Sequence, residues 1–308
     1  MVDHRTRCTI VQYHYVRKEE EHPKLKGLMA RLFAAQLDYI MRKYEVVSLE
    51  NYVEILRGAC EGSDNLCVLT FDDGLKDHYA NAFPILREKG LTASFFPMTQ
   101  PLTEHILAPF HKVHLLLAEL GSRTFADQYN FLLKEQWPEL YEEHYVDDKV
   151  KKNPKYKWDD TLTANLKVSI GSLPSDAKQK LLGEIFEESV GDEQRYCDNF
   201  YMNADEMREM QEAGMSFGSH THSHPMLARL SLEEQRAEIK LSKRILEQTL
   251  KQRGHMFSYP YGDFNETTIS ILKSEGYSCG VTTDFDVNVG QMDPYRLKRL
   301  DTNDVPFG

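Results

Sequence analysis

The chain has no apolar run approaching the ~18 consecutive residues of a membrane helix. Its first residues, "MVDHRTRCTIVQYHYV", hold neither a signal-peptide core nor a small-residue cleavage site. A cytoplasmic protein with no membrane span is therefore expected. Positive charge is also short: 37 Lys and Arg stand against 48 Asp and Glu, for a formal net charge of -11. That balance argues against nucleic acid or an anionic bilayer as an electrostatic partner. Cysteine is scarce and unpatterned. Cys8, Cys60, Cys67, Cys197 and Cys279 are odd in number, scattered and free of any C-x-x-C pair. This argues against a disulfide framework or a thiolate zinc site and leaves buried thiols. Internal repeats and low-complexity tracts are missing as well. With 41% hydrophobic and 28% charged residues over 308 positions, the composition is globular and leaves room for one large domain or two small ones.

What the sequence does contain is a rhythm. Short apolar runs, "CTIVQYH", "LCVLTF", "TASFFP", "MSFGS", "MFSYP" and "SCGVTT", read as strands. Helices with legible ends separate them. "SLENYVEILRG" opens at Ser48 and closes at Gly58; "NADEMREMQEAG" has the capping-box pair Asn203 and Glu206 and stops at Gly214. "SLEEQRAEIKLSKRILEQTLKQRG" repeats the device with Ser231, Glu234 and Gly254, and "NETTISILKSEG" runs from Asn265 to Gly276. Alternating elements of this kind predict an α/β fold with a mainly parallel sheet. From about 101 to 200 the rhythm stops, and charged, Tyr- and Lys-rich helical segments predict a helical insertion.

In βα architectures the loops leaving the strand C-termini gather on one face, where catalytic groups sit. Polar, reactive residues follow four of the predicted strands: His14, the pair Asp72-Asp73, the run His220-Thr221-His222-Ser223-His224, and Tyr261-Gly262. Imidazole nitrogens and a carboxylate oxygen can occupy three positions around zinc and leave the fourth to water. A second carboxylate beside them can accept the water's proton. Side chains on consecutive residues diverge, so adjacent aspartates allow one ligand and one base. Asp-Asp-Gly alone is commoner as a turn or a helix N-cap, and a lone histidine cluster can be a solvated loop. Pro225 disfavours a helix at His224, so the histidine spacing belongs to a loop. Both motifs falling at strand ends favours the metal reading.

These residues resemble the polysaccharide deacetylase family, the family-four carbohydrate esterases. The motif T-F-D-D-G is present as Thr70-Phe71-Asp72-Asp73-Gly74, and H-[ST]-x-x-H as His220 to His224. "IVQYHYV", "LFAAQLDYIMRKYEVVSLENYVEIL" and "TASFF" resemble the family too, so the likeness covers most of the chain outside the insertion. It implies a distorted (β/α)7 barrel, one catalytic domain over 1–308 carrying the insertion. It further implies Asp72 as general base and Asp73, His220 and His224 as ligands of a divalent metal, zinc by default, with Co2+, Ni2+ or Mn2+ able to substitute. His222 is implied to be no ligand.

Two departures qualify the resemblance. The third family motif, commonly R-P-P-Y-G, reads Ser258-Tyr259-Pro260-Tyr261-Gly262 here, similar to the branch with an F-x-Y-P-Y-G form. The Tyr261 amide can still serve an oxyanion, but the arginine that orients the base is missing, and Arg296 or Arg299 is expected to replace it. Tyr259, Pro260 and Arg296 are expected on the substrate side. The late motif that supplies a catalytic-acid histidine is also missing, and His14 is expected in that role or as a pocket-lining group. The implied activity is removal of an N-acetyl group from an amino sugar, with a carbohydrate as partner and an intracellular glycoconjugate precursor favoured over a polymer; oligomeric state is open. Rival readings are O-deacetylation, a related amidase acting on a non-sugar C-N bond, and an inactive carbohydrate-binding domain.

Overall fold

A computed structural model describes residues 6–18, 25–60, 63–150, 159–250 and 255–307. Its barrel strands are β1 (Arg7–Tyr13), β2 (Asn65–Asp73), β3 (Ser94–Pro97), β4 (Ser216–Phe217), β5 (Met256–Ser258), β6 (Cys279–Val281) and β7 (Leu300–Asp301), beside four two-residue strands, Val16–Arg17, Leu28–Met29, Glu45–Val46 and Asn288–Val289. The first six are the predicted ones. Parallel ladders join β1 to β2, β2 to β3, β3 to β4 and β5 to β6, and β7 returns to pair with β1. Single parallel bridges, Ser219 to Phe257 and Val281 to Leu297, complete the ring between β4 and β5 and between β6 and the segment entering β7. The result is an α/β fold, a distorted (β/α)7 barrel, whose distortion lies where closure rests on one bridge.

Strand alternation divides the apolar residues between two cores. Cys8, Ile10, Leu66, Val68, Phe96, Met256, Cys279 and Val281 pack together inside the barrel, with Leu49, Tyr52, Val53 and Leu56 of the helix Leu49–Leu56. Residues of opposite parity, Val11, Tyr13, Cys67, Leu69, Phe71, Phe95 and Phe217, face outward. They meet Phe33, Leu37 and Ile40 of the helix Ala30–Lys43 and Met207 and Met210 of the helix Ala204–Glu212. The predicted helix starts are made in full. Ser48 accepts the Asn51 N–H at 3.1 Å. Asn203 and Glu206 form a reciprocal capping box, and Ser231 and Glu234 exchange backbone bonds of 2.8 and 3.3 Å. The helix stop expected at Gly254 lies outside the described residues.

Residues 105–197 form a separate compact unit. It holds the helices Pro109–Gln136, Pro138–His144, Thr161–Ser172 and Ser175–Ser189, and no strand among its described residues. Gly121, at φ 75° and ψ 164°, breaks the first of these into two legs. Phe125, Tyr129, Leu133, Leu166, Leu181 and Phe186 are buried in this unit, and the buried Lys112 pairs with Glu193 at 2.7 Å. No helix of the described residues is long and apolar enough to cross a membrane.

Gly74, just past β2, sits at φ +75°, and a Cβ there would lie 2.6 Å from Pro97 Cβ and 2.8 Å from Pro97 Cα. Gly74→Ala therefore combines left-handed strain with overlap. It is expected to lower stability by about 1–3 kcal/mol from strain alone. Denaturant unfolding of the variant checks this, and an unshifted midpoint would contradict the tight turn.

Candidate active site

The alternation that fills the barrel with apolar side chains brings polar ones to its C-terminal mouth. On β1, Gln12 continues the inward series of Cys8 and Ile10; on β2, Thr70 and Asp72 continue Leu66 and Val68; on β5, Ser258 follows Met256. The buried guanidinium of Arg299, just before β7, lies among them. It donates to both Asp72 oxygens at 3.0 and 2.8 Å, to Ser258 Oγ at 3.1 Å and to the Thr282 carbonyl at 2.7 Å. Gln12 donates a further bond to Asp72 at 2.9 Å. Burial alone would raise the Asp72 carboxyl. The Arg299 charge, the His220 ring, the Arg299 hydrogen bonds and the His14 ring outweigh it and hold the pKa at about 2. Asp72 is therefore ionised throughout the neutral range.

Asp73 departs from the strand. Its φ of 76° turns its carboxylate away from Arg299 and toward the histidines, with Oδ1 3.5 Å from His220 Nε2 and 3.8 Å from His224 Nε2. The two Nε2 atoms are 3.1 Å apart. His220 Nδ1 donates to the Ser258 carbonyl at 2.8 Å, which leaves its Nε2 lone pair directed at the cluster. Burial opposes protonation of His220, and the Asp72 and Asp73 carboxylates more than offset it, so its pKa is raised. A tetrahedral ion with bonds of about 2.0–2.1 Å separates its ligands by about 3.3–3.4 Å. The Asp73, His220 and His224 donor atoms, 3.1, 3.5 and 3.8 Å apart and all three buried, bracket that spacing and so fit such an ion after shifts of a few tenths of an ångström.

His222 lies elsewhere, its ring between Thr99 Oγ1 at 2.9 Å and Glu104 Oε1 at 3.0 Å. His14 stands near Asp72: its Nε2 is 3.4 Å from the Gln12 amide that also reaches the Asp72 carboxylate. Its carbonyl accepts the Nε2–H of the buried His78 at 2.8 Å. Burial pushes the His78 pKa down to about 4, so this ring is a neutral brace. Tyr261, half-exposed at φ 58°, sets its ring 4.5 Å from that of His224. Four of the five non-glycine residues with positive φ among the described residues, Asp73, Thr221, His224 and Tyr261, thus belong to this mouth. Such strain concentrates where function over-determines the backbone.

Of the two arginines expected as partner of Asp72 one is found there, and two residues expected on the substrate side are buried. Arg299, not Arg296, holds Asp72; Arg296 is partly exposed, paired with Glu266 and Asp293, and lies over the Phe264 ring at 5.5 Å. Tyr259 does not face a substrate. Its ring is fully buried, stacks on Phe264 at 4.4 Å, packs with Leu227, Ile239 and Phe257, and donates its hydroxyl to the Tyr295 carbonyl at 2.9 Å. Pro260 is buried and opens the single turn that carries Tyr261. No motif in the sequence marks the bonds made by Gln12, Ser258 and His78, although strand parity places the first two on the inner face.

The family model described as polysaccharide deacetylase matches residues 60–145 and 186–280. The chain belongs to the polysaccharide deacetylase family. Over 100 residues it is 32% identical to the putative polysaccharide deacetylase YxkH of Bacillus subtilis (strain 168), a match taking in 32% of this chain and 36% of that protein. The chain thus aligns with about a third of the length of that curated relative. Among solved structures, the Streptococcus pyogenes deacetylase PplD, in complex with acetate, is 20% identical with a TM-score of 0.60, over 96% of this chain and 92% of that one. IcaB from Ammonifex degensii is 18% identical with the same TM-score, over 96% and 92%. At these identities the likeness to this polysaccharide deacetylase chain is one of fold.

Removing one partner of a buried ion pair strands the other. Arg299→Leu is expected to cost about 3–5 kcal/mol of stability, and Asp72→Asn/Arg299→Leu less than the two single changes summed. Because the Asp72 pKa is lowered on folding, its contribution is complete above about pH 4 and lost as pH falls through about 2. Unfolding titrations across this range check both points. An Arg299→Leu penalty equal at pH 2 and pH 7 would contradict the assignment.

Proposed function

We propose that the chain is a metal-dependent hydrolase that removes the N-acetyl group of an amino sugar. The observation carrying this reading is one buried carboxylate, Asp72, fixed by Arg299 one residue from Asp73, which meets His220 and His224. Asp73, His220 and His224 hold a divalent cation, zinc by the His/His/Asp donor set, with cobalt, nickel or manganese able to replace it. Bound there, the cation supplies Lewis acidity toward water and an acyl carbonyl.

The remaining roles belong to the chain. Asp72 accepts the proton of the attacking water. Arg299 and Gln12 together occupy three of its acceptor positions and fix its plane. A carboxylate held near pKa 2 does not retain that proton, so its value lies in orientation and prompt release. The Tyr261 amide, in a turn beside His224, stabilises the oxyanion. His14, linked to Asp72 through Gln12, delivers a proton to the departing amine. PplD with bound acetate, and an Aggregatibacter actinomycetemcomitans relative described as a de-N-acetylase, support an acetylated substrate. The family supports a carbohydrate.

Acetate release from free, nucleotide-linked and oligomeric N-acetylhexosamines, with and without added zinc, tests the reading. Zinc-dependent acetate is expected from one of these classes. Asp72→Asn should keep its zinc and its fold but lose about 10²–10⁴-fold in rate. Near-wild-type turnover in that variant would sink the base assignment, and bound zinc without acetate from any class would favour an amidase or binding role.

A further inference from the structure

The loop carrying His220 and His224 is short and strained. Thr221 and His224 both have positive φ, at 65° and 62°. The Thr221 hydroxyl accepts the His224 N–H at 3.0 Å, which ties one end of the loop. Between them, the N–H groups of His222 and Ser223 point the other way. Both converge on a single oxygen, Glu238 Oε2, at 2.9 Å each, and the Ser223 hydroxyl donates to Glu238 Oε1 at 2.6 Å. Glu238 is half-buried on the second turn of the helix Leu232–Leu250. Consecutive backbone N–H groups around a left-handed residue form a concave nest for an anion. Here a helix side chain fills it.

We propose that Glu238 is a positioning residue of the metal site: its carboxylate fixes the peptides between the two histidines so that both imidazoles converge without rearrangement when the cation arrives. The inference rests on the reading that Asp73, His220 and His224 bind that cation. The physical argument is one of preorganisation. Without an anion in the nest, two adjacent N–H groups lose their acceptor, and the strained backbone at Thr221 and His224 loses what holds it. Ordering the loop must then be driven by the metal, at the expense of affinity. Outer partners of metal ligands typically change affinity by about 10–100-fold when removed.

Glu238→Gln removes the charge from the nest: its carbonyl oxygen can offer the two N–H groups only neutral bonds, and the Ser223 hydroxyl must turn from donor to acceptor of its amide. Zinc dissociation constants, measured by competition with a chromophoric chelator, should rise about 10–100-fold in this variant. The visible spectrum of the cobalt-loaded protein should also change in shape. Ser223→Ala keeps the charge and the two N–H bonds and should show a smaller loss of the same kind, which keeps the test available if Glu238→Gln folds poorly. Glu234→Gln, on the same helix but bonded to Ser231, removes an equal charge from the first helical turn, while its carbonyl oxygen can still accept the Ser231 N–H. It should leave zinc affinity and cobalt spectrum unchanged while lowering the unfolding midpoint. Wild-type affinity in Glu238→Gln and Ser223→Ala, or an equal loss in Glu234→Gln, overturns the positioning role. A wild-type chain that binds no zinc instead overturns the metal site on which it depends.

Discussion

The bidentate bond between Arg299 and Asp72 joins positions 227 residues apart. It ties β2 to the last stretch of chain before β7, in a barrel whose ring is elsewhere completed by two single bridges. Burying two charges is costly, and such a pair is weak evidence for stability in itself. Its effect here is geometric. The register that pairs Leu300 with Val11 and Asp301 with Gln12 places the guanidinium where Asp72, Thr70, Ser258 and the Thr282 carbonyl all receive it. Closure of the fold and orientation of the carboxylate are therefore one arrangement, and its low pKa follows.

From that anchor the site divides its two aspartates by backbone geometry. Asp72 stays on the inward face of β2 and belongs to the arginine. Asp73 leaves the strand at positive φ and belongs to the histidines. The close approach of Pro97 to Gly74 makes the turn that follows possible only without a side chain. The left-handed residues Thr221, His224 and Tyr261 are of the same kind: local strain that positions a functional group and is held by the packed strands beneath.

Much of this was legible, for identifiable reasons. Six staves could be read because their apolar runs are bounded by turn residues, and the helix starts because Ser48, Asn203, Ser231 and Asn265 carry the side chains that caps require. The motifs at Asp72-Asp73 and His220 to His224 pointed to one mouth because strand ends gather. The seventh stave, Leu300–Asp301, is two residues long and leaves no periodic signal. Without its register, Arg296 and Arg299 are equivalent candidates for the partner of Asp72; only the three-dimensional return of the chain separates a surface arginine from a buried one. Tyr259 departs from its expected place for a different reason. Its motif drew it to the substrate, whereas its parity with Phe257 places it on the outer face, against the helices. Gln12 follows the same parity onto the inner face, but an amide carries no motif that marks it.

The central claim is that Asp73, His220 and His224 form a metal centre from which Asp72 and His222 are excluded. Crystals of the full chain grown with zinc, measured on both sides of the zinc absorption edge, test it most directly. The account predicts one strong anomalous peak at about 2.0–2.2 Å from Asp73 Oδ1, His220 Nε2 and His224 Nε2, with Asp72 still on Arg299. A peak ligated by His222 or by Asp72, or no peak at this mouth, would contradict it.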